Sequence, residues 1–199
     1  MSLKPPEIKE TVVLELSPEI VNRLKEVRCL ALDVDGVLTD GRLLYLEDGF
    51  VTTSGFNVHD GLGIRAALDG GLKVIAVSGN ATEAVRRRVE HLQMTAHWLG
   101  LGRKESAMHE ASQQLGIPLS QFAYMGDDLN DLAPLKMVGL PIAVAQAVPE
   151  VKQAAAMVTE KGGGAGAVRE VIELIMRTQG IWDATVKRFL ETLDTAVVQ

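Results

Sequence analysis

The chain has 199 residues, of which 47% are hydrophobic and 23% charged, and it carries a formal net charge of −6. This length favours one compact domain, and the apolar share excludes an intrinsically disordered chain. No apolar run reaches the roughly 18 residues that span a bilayer, and the charged N-terminal segment argues against a signal peptide. The single cysteine, Cys29, excludes a disulfide framework, and an acidic chain without a basic block argues against nucleic acid as the main partner. We therefore expect a cytoplasmic globular protein without membrane or nucleic-acid partners.

Short β-branched runs alternate with helical segments along most of the chain. Ser17, Pro18 and Glu19 are typical of a helix start, with a capping hydroxyl, a proline in the first turn and an acid beside it. The predicted buried strands are Cys29–Val34, Lys73–Ser78, Phe122–Met125 and Pro141–Ala145. The predicted helices cover residues 62–68, 82–92, 104–115 and 129–138. This alternation predicts an α/β fold, a Rossmann-like parallel sheet with helices on both faces.

One stretch interrupts the alternation directly after the first strand. Residues 43–46 and 50–53 have the pattern of two short strands around the turn Glu47-Asp48-Gly49. This predicts a small β-hairpin insert over residues 41–56.

Polar residues at the carboxyl ends of the strands are the candidates for a site, because ligands of an open parallel sheet bind there. Asp33 and Asp35 lie at the end of the first strand, where two carboxylates are costly to desolvate without a cation or strong donors. Ser78, Gly79 and Asn80 lie at the end of the next predicted strand, where a hydroxyl and helical N–H groups form an anion cradle. Acids that cap backbone amides, and Ser or Asn as ordinary helix caps, are the alternatives for each group taken alone.

A second acidic cluster and a lysine follow further along the chain. Asp127, Asp128 and Asp131 lie within five residues at a strand-to-helix turn, which is the composition of a site for a hard divalent cation. A helix N-terminus rich in acids is the alternative, but it explains three of them poorly. Lys104 opens a helix where the macrodipole disfavours a cation, and a solvated surface lysine is its alternative reading.

Together these groups resemble the four motifs of the haloacid dehalogenase superfamily of phosphotransferases. In chain order the motifs are Asp33-Val34-Asp35, Ser78, Lys104 and Gly126–Asp131. The resemblance implies that Asp33 attacks phosphorus to form an aspartyl-phosphate and that Asp35 first donates and later accepts a proton. It also implies that Ser78 and Lys104 hold the phosphoryl oxygens.

The same resemblance implies one Mg²⁺ ion. Asp33, Asp127 and the backbone carbonyl of Asp35 would bind it directly, while Asp128 and Asp131 would support the site through hydrogen bonds. Asp33 has to be ionised and Asp35 protonated when the substrate binds. The two acids therefore predict a bell-shaped dependence of the rate on pH.

Within that superfamily the sequence is similar to the 3-deoxy-D-manno-octulosonate 8-phosphate phosphatase family. The similar segments are Asp33–Gly41, Phe56–Arg65, Gly126–Leu129 and Gly164–Val171. This resemblance implies a sugar phosphate substrate, almost no cap domain, and a homotetramer in which the hairpin helps neighbouring subunits to close one another's sites. The substrate-binding residues that we expect are Ser78, Gly79, Asn80, Lys104, Asp60 and Arg65.

The resemblance also divides the chain. We expect an N-terminal extension and helix over 1–27, a catalytic domain over 28–180 without a separate cap domain, and a C-terminal helix or tail over 181–199. The glycine-rich run 162–166 either approaches the substrate from a loop or is a plain flexible connection.

Two departures from the family pattern concern the substrate. Gly79-Asn80 stands where Gly-Arg is usual, and the hairpin has Gly49-Phe50 and Ser54 where Gly-Glu and a lysine are usual. The substrate therefore stays open between 3-deoxy-D-manno-octulosonate 8-phosphate, a nine-carbon keto-sugar acid 9-phosphate and another sugar phosphate. A catalytically silent binding homologue is a further alternative. A phospho-acceptor receiver domain has similar groups, but there the acidic pair comes first and the lysine last.

Overall fold

Four fully buried residues, Cys29 to Leu32, form a central strand, as their uninterrupted apolar character predicts. The computed structural model describes residues 16–45, 47, 51–53 and 55–196, of which 51–53 and 193–196 by their backbone only. The strands are β1 (Cys29–Leu32), β2 (Leu43–Tyr45), β3 (Val51–Thr53), β4 (Lys73–Ser78), β5 (Ala96–Leu99), β6 (Phe122–Gly126), β7 (Leu140–Ala143) and β8 (Met157–Val158). The helices are α1 (Pro18–Glu26), α2 (Val58–Asp69), α3 (Glu83–His91), α4 (Glu105–Leu115), α5 (Leu132–Met137), α6 (Pro149–Ala154), α7 (Ala167–Thr178) and α8 (Trp182–Ala196). Short 3₁₀ turns lie at Leu119–Gln121 and Leu129–Asp131.

Six strands form one sheet in the order β5-β4-β1-β6-β7-β8, and every neighbouring pair is parallel. The chain leaves β1 toward β4 and β5 and then returns to the other side of β1 to build β6, β7 and β8. The strand order therefore reverses at β1, and the carboxyl ends of β1 and its neighbours border the crevice that such a reversal opens. Asp33 extends β1 into this crevice, since its backbone N–H donates to the Met125 carbonyl at 3.1 Å. The predicted α/β fold is confirmed.

Helices cover both faces of the sheet. On one face α2 packs along α7, with α1 and α8 beside them. α7 has buried side chains on one stripe of its surface, among them Val168, Val171 and Ile175. α4, α5 and α6 pack in succession as a separate group. In the described part of the chain, no helix combines the length and the apolar character needed to cross a membrane.

The predicted helix start and hairpin are both present. The Ser17 hydroxyl accepts the Ile20 N–H at 3.3 Å and caps α1. β2 and β3 pair antiparallel, with Leu43 opposite Thr53 and Tyr45 opposite Val51. The hairpin positions 46, 48–50 and 54, with the departures at Gly49-Phe50 and Ser54, lie outside the described residues.

Several elements differ from the sequence prediction, which also did not include α6 and α7. The helix predicted over 129–138 begins as a 3₁₀ turn, because Asp128 and Asp131 cap that turn reciprocally before α5 starts at Leu132. The edge strands β5 and β8 were not predicted, since β8 has only two residues and β5 includes His97 and Trp98.

Cys29 lies at the start of β1 and is completely buried. Burial raises the pKa of its thiol to about 12, so the thiol stays protonated and unreactive.

Candidate active site

Asp33 lies at the floor of the crevice, directly after β1, with 4% of its surface exposed. Its Oδ1 accepts the Val34 N–H at 2.7 Å, and its Oδ2 lies 2.9 Å from the Lys104 ammonium. Burial, with a further contribution from the negative charge of Asp131, raises the pKa of Asp33 to about 7, against the opposing effect of Lys104. Burial thus opposes ionisation of this carboxyl group, and the Lys104 ammonium favours it.

Lys104 is buried beneath the crevice and bridges two carboxylates. Its Nζ lies 2.9 Å from Asp33 Oδ2 and 2.7 Å from Asp131 Oδ1. Burial opposes its charged form, but Asp33 and Asp131 outweigh burial and raise the pKa of Lys104. The structure therefore places a permanent positive charge against the Asp33 carboxylate.

Asp131 is fully buried and accepts four hydrogen bonds. Lys104 Nζ and the Tyr124 hydroxyl each donate to its Oδ1 at 2.7 Å, and the backbone N–H groups of Asp127 and Asp128 donate to its Oδ2 at 2.8 and 3.3 Å. A Cβ on Gly126 would lie 2.5 Å from the Asp131 Cβ, so only glycine fits there. These bonds hold Lys104 and the β6 turn in one position.

Tyr124 is a residue of this site that the sequence analysis missed. Burial and the nearby charge of Asp131 raise its pKa well above the usual value, so its hydroxyl remains a donor. The sequence feature that could have identified Tyr124 is its hydroxyl, because a tyrosine within an otherwise apolar strand needs a hydrogen-bond partner.

Three carboxylates converge at the ends of β1 and β6. One oxygen from each of Asp33, Asp127 and Asp131 lies within 4.8 Å of the others. Burial and the charges of Asp131 and Asp128 raise the pKa of Asp127 to about 7. Asp127 lies against Gly36, whose φ of +81° and lack of a Cβ let the two approach. Carboxylate oxygens with an excess of negative charge fit a hard divalent cation such as Mg²⁺.

Asp128 is exposed and has a local role. Its Oδ1 accepts the Leu129 N–H at 2.7 Å and caps the 3₁₀ turn that follows β6. Asp128 thus lines the cleft and caps the turn, whereas the buried hydrogen bonds to Lys104 and Tyr124 are made by Asp131.

Asp35, Ser78 and Asn80 form a second connected group. Asn80 Nδ2 donates to Asp35 Oδ2 at 2.8 Å, and the Asn80 backbone N–H donates to Ser78 Oγ at 3.0 Å. Asp35 Oδ1 is buried and has no hydrogen-bond partner among the described residues. The ends of β1 and β4 are thereby tied together at the mouth of the crevice.

An open cleft of about 610 Å³ lies above these groups. It brings together seven of the predicted site residues: Asp33, Asp35, Ser78, Gly79, Asn80, Asp127 and Asp128. The wall is completed by Gly41, by Leu43 of β2, and by Leu129 and Asn130 of the turn after β6, none of which the sequence analysis named for the site. The hairpin therefore contributes an apolar side chain to the cleft.

The glycine-rich run packs directly on the loop that follows Asp33. A Cβ on Gly163 would overlap the Gly36 carbonyl, and the Gly164 N–H donates to the Val37 carbonyl at 3.0 Å. Gln146 joins the two segments, because its Nε2 donates to the Gly36 carbonyl at 2.6 Å and its Oε1 accepts the Gly163 N–H at 2.9 Å. The run is thus fixed against the loop that carries Asp35 and Gly36. We call Gln146 and Gly163 with the Gly36 loop the glycine clamp.

Comparisons with known proteins agree with this geometry. Residues 102–172 match the model of a family described as haloacid dehalogenase-like hydrolase. The 3-deoxy-D-manno-octulosonate 8-phosphate phosphatase of Salmonella typhimurium is 39% identical over 168 residues, which are 84% of this chain and 89% of that protein. The chain belongs to this phosphatase family of the haloacid dehalogenase-like hydrolases.

Solved structures of the family have the same fold. The Moraxella catarrhalis 3-deoxy-D-manno-octulosonate 8-phosphate phosphatase, crystallised with magnesium, phosphate and a KDO molecule, superposes with a TM-score of 0.82 at 37% identity, covering 86% of this chain and 98% of that one. The cobalt-bound phosphatase of Haemophilus influenzae gives a TM-score of 0.77 at 39% identity, covering 80% and 93%. Membership of the family makes this chain an enzyme, a phosphoric monoester hydrolase.

Two of the residues expected to bind substrate lie away from the cleft. Asp60 is 1% exposed and its Oδ1 accepts the Arg169 N–H at 2.8 Å, at the start of α7. Burial raises the pKa of Asp60, and the bonds from Arg169 and Gly166 partly offset this. Arg65 donates to the His91 carbonyl at 3.4 Å, at the end of α3. Neither side chain lines the cleft of this chain, because each is held by a helix terminus.

Proposed function

We propose that this chain hydrolyses the phosphate monoester of a small sugar acid, 3-deoxy-D-manno-octulosonate 8-phosphate, with Mg²⁺ as cofactor and Asp33 as nucleophile. The observation that carries the proposal is the position of Asp33, at the floor of an open cleft with Lys104 against one oxygen and Asp127 beside it. The relatives named above support the choice of substrate.

Repulsion is the first obstacle to this reaction. A carboxylate that approaches a phosphate dianion at about 4 Å meets a cost of about 4 kcal/mol for each pair of unit charges at an effective dielectric constant of about 20. Lys104 offsets part of that cost, because its ammonium contacts Asp33 and is held by Asp131. Asp33, Asp127 and the backbone carbonyl of Asp35 would hold Mg²⁺, which when bound neutralises charge on the phosphoryl oxygens.

The reaction proceeds in two transfers. A carboxylate oxygen of Asp33 forms a bond to phosphorus while the bond to the sugar oxygen breaks, and Asp35 gives its proton to that leaving oxygen. Asp35 then removes a proton from water, whose oxygen attacks phosphorus, so that inorganic phosphate leaves and Asp33 is restored. Ser78, whose Oγ accepts from the Asn80 N–H, keeps its own hydroxyl proton to donate to a phosphoryl oxygen.

The exposed side chains of the hairpin support an oligomeric assembly. Leu43, Leu44 and Tyr45 of β2 are 48%, 49% and 75% exposed, which is an unusual share of apolar surface for a short strand. We infer a homotetramer in the cytoplasm, in which neighbouring subunits cover β2 and close the open cleft.

The test is release of inorganic phosphate from 3-deoxy-D-manno-octulosonate 8-phosphate, measured beside a panel of other sugar phosphates, with Mg²⁺ and with EDTA. We expect that substrate to give the highest kcat/KM, EDTA to abolish turnover, and Asp33→Asn to lower kcat by at least about a thousandfold while the far-UV spectrum and Tm are kept. Asp40→Asn, on the exposed part of the same loop, is the matched control for the substitution. Near-wild-type activity of Asp33→Asn would refute the assignment of Asp33 as the nucleophile. A higher kcat/KM for another sugar phosphate in the panel would refute the proposed substrate.

A further inference from the structure

Asn80 is held in a single orientation by its neighbours. The backbone N–H of Thr82 can only donate, and it lies 2.8 Å from the side-chain oxygen of Asn80. The amide nitrogen of Asn80 therefore faces Asp35, to whose Oδ2 it donates at 2.8 Å. The backbone N–H of Asn80 donates to Ser78 Oγ, so three hydrogen bonds fix this residue on the turn after β4.

The two oxygens of Asp35 consequently differ. Oδ2 receives the Asn80 amide, whereas Oδ1 is buried without a hydrogen-bond partner among the described residues. A buried polar atom without a partner is destabilising, and its persistence in a fold calls for an explanation. Asp35 lines the cleft together with Asp33, where a leaving oxygen and an attacking water have to pass.

We propose that Asn80 is a positioning residue for Asp35. By holding Oδ2, the Asn80 amide fixes the orientation of the Asp35 carboxyl group, which gives a proton to the leaving sugar oxygen and later takes one from water. Because Asn80 also bonds to Ser78, the proton-transfer group and the phosphoryl-binding hydroxyl keep a constant separation. The inference rests on the proposed function, since it assigns a role within that same reaction.

A comparison of two substrates distinguishes the proposed role of Asn80, positioning Asp35, from other roles of Asn80. An alkyl phosphate such as 3-deoxy-D-manno-octulosonate 8-phosphate needs a proton on its leaving oxygen, whereas p-nitrophenyl phosphate releases a stable phenolate without one. The ratio kcat/KM reports only the steps up to phosphoryl transfer to Asp33, and therefore not the later attack of water. It is measured for both substrates in wild type, Asn80→Ala and Asn80→Asp. Asn80→Asp keeps the acceptor for the Thr82 N–H but removes the donor to Asp35.

Since general acid catalysis contributes about a hundredfold or more, we expect both variants to lose about tenfold or more in kcat/KM on the sugar phosphate and less than about threefold on p-nitrophenyl phosphate. In an Asp35→Asn background, Asn80→Ala should add no further loss, because its effect acts through Asp35. Asn22→Ala, on the exposed side of α1, is the matched control and should leave both values unchanged.

Three outcomes would overturn the inference. An equal loss on both substrates would mean that Asn80 acts by general structural support. A loss that persists in the Asp35→Asn background would mean that Asn80 contacts the substrate directly. If the wild-type chain releases no phosphate from either substrate, the proposed function fails and the inference falls with it. The first two outcomes leave the proposed function intact.

Discussion

The buried ammonium of Lys104 shows how a locally unfavourable residue becomes favourable in the folded chain. Lys104 precedes the first turn of α4, where the helix dipole disfavours a positive charge. The carboxylates of Asp33 and Asp131 lie within 3 Å of the ammonium and more than offset this unfavourable interaction with the dipole. Asp131 is in turn held by the Tyr124 hydroxyl and two backbone N–H groups. Asp131 is therefore a buried anion that holds Lys104 against Asp33.

The pKa values of Asp33 and Asp127 lead to a prediction about Mg²⁺. Both are raised to about 7, so each carboxyl binds a proton below that pH and has to release it before it binds the metal. Affinity for Mg²⁺ should thus fall as the pH drops through 7, and we expect it to be at least about tenfold weaker at pH 6 than at pH 8. Isothermal titration calorimetry of the wild-type chain in two buffers of different ionisation enthalpy would measure both the affinity and the protons released.

The matched control for this titration is Asp127→Asn, which should bind Mg²⁺ weakly at both pH values and release fewer protons. Equal affinity of the wild-type chain at pH 6 and pH 8 would contradict the raised pKa values.

At the scale of single residues, the sequence predicted best the groups that follow buried strands. Asp33, Ser78 and Asp127 could be placed in the crevice because each follows a strand end, and parallel strands end at one edge of the sheet. Gln146 could not, because it lies in a loop without a periodic pattern and its partner Gly36 is 110 residues away. The position of Asp60 could not be predicted either, because its partner Arg169, at the start of α7, is 109 residues away in the sequence.

At the scale of elements, the glycine clamp determines the position of the loop that follows Asp33. Gly163→Ala would place a methyl group on the Gly36 carbonyl, so the loop would have to move. A misplacement of about 1 Å near a reacting group can lower the rate about a hundredfold, and we expect kcat to fall between about tenfold and a hundredfold. Steady-state phosphate release and thermal melts would be measured together.

Gly102→Ala is the matched control for the clamp, since a Cβ at that position meets no atom within 4 Å. It should keep wild-type kcat and Tm. If Gly163→Ala behaved in the same way as Gly102→Ala, the clamp would have no influence on the nucleophile loop.

Elements with long apolar runs were predictable, and short edge elements were not. β4 has the predicted bounds, Lys73–Ser78, because five of its six residues are buried and form one uninterrupted run. β8 has two residues and pairs only with β7, so its hydrophobic signal is too short to distinguish it from a loop. α6 begins with Pro149 and has six residues, which is also below the length at which periodicity identifies a helix.

At the scale of the whole molecule, the topology explains why one site forms where it does. The strand order reverses at β1. The hairpin of β2 and β3 is inserted between β1 and α2, at the mouth of the same crevice. Leu43 lines the cleft, and side chains alternate along a strand, so Leu44 points to the opposite face of the hairpin. In the proposed tetramer, each hairpin would have one side toward the site of its own subunit and the other side toward a neighbouring subunit.

This arrangement predicts the effect of a charge on the outer side of β2. Leu44→Asp should convert the proposed tetramer into monomers, because burying an unpaired carboxylate in the interface is costly, and kcat/KM should fall at least about tenfold since each cleft stays open. Sedimentation equilibrium and phosphate release of the same samples would test both effects. Val158→Asp, at a position 43% exposed on β8, is the matched control and should remain assembled and active. A wild-type monomer with full activity would contradict the assembly.

The complete burial of Cys29 has a practical consequence. Because this is the only cysteine in the sequence and its thiol is sealed in the central strand, a folded sample offers no background reaction to maleimide reagents. A cysteine introduced in place of Val58, which is 76% exposed, would accept one fluorescent dye per chain, and energy transfer between chains labelled with different dyes would test the proposed assembly.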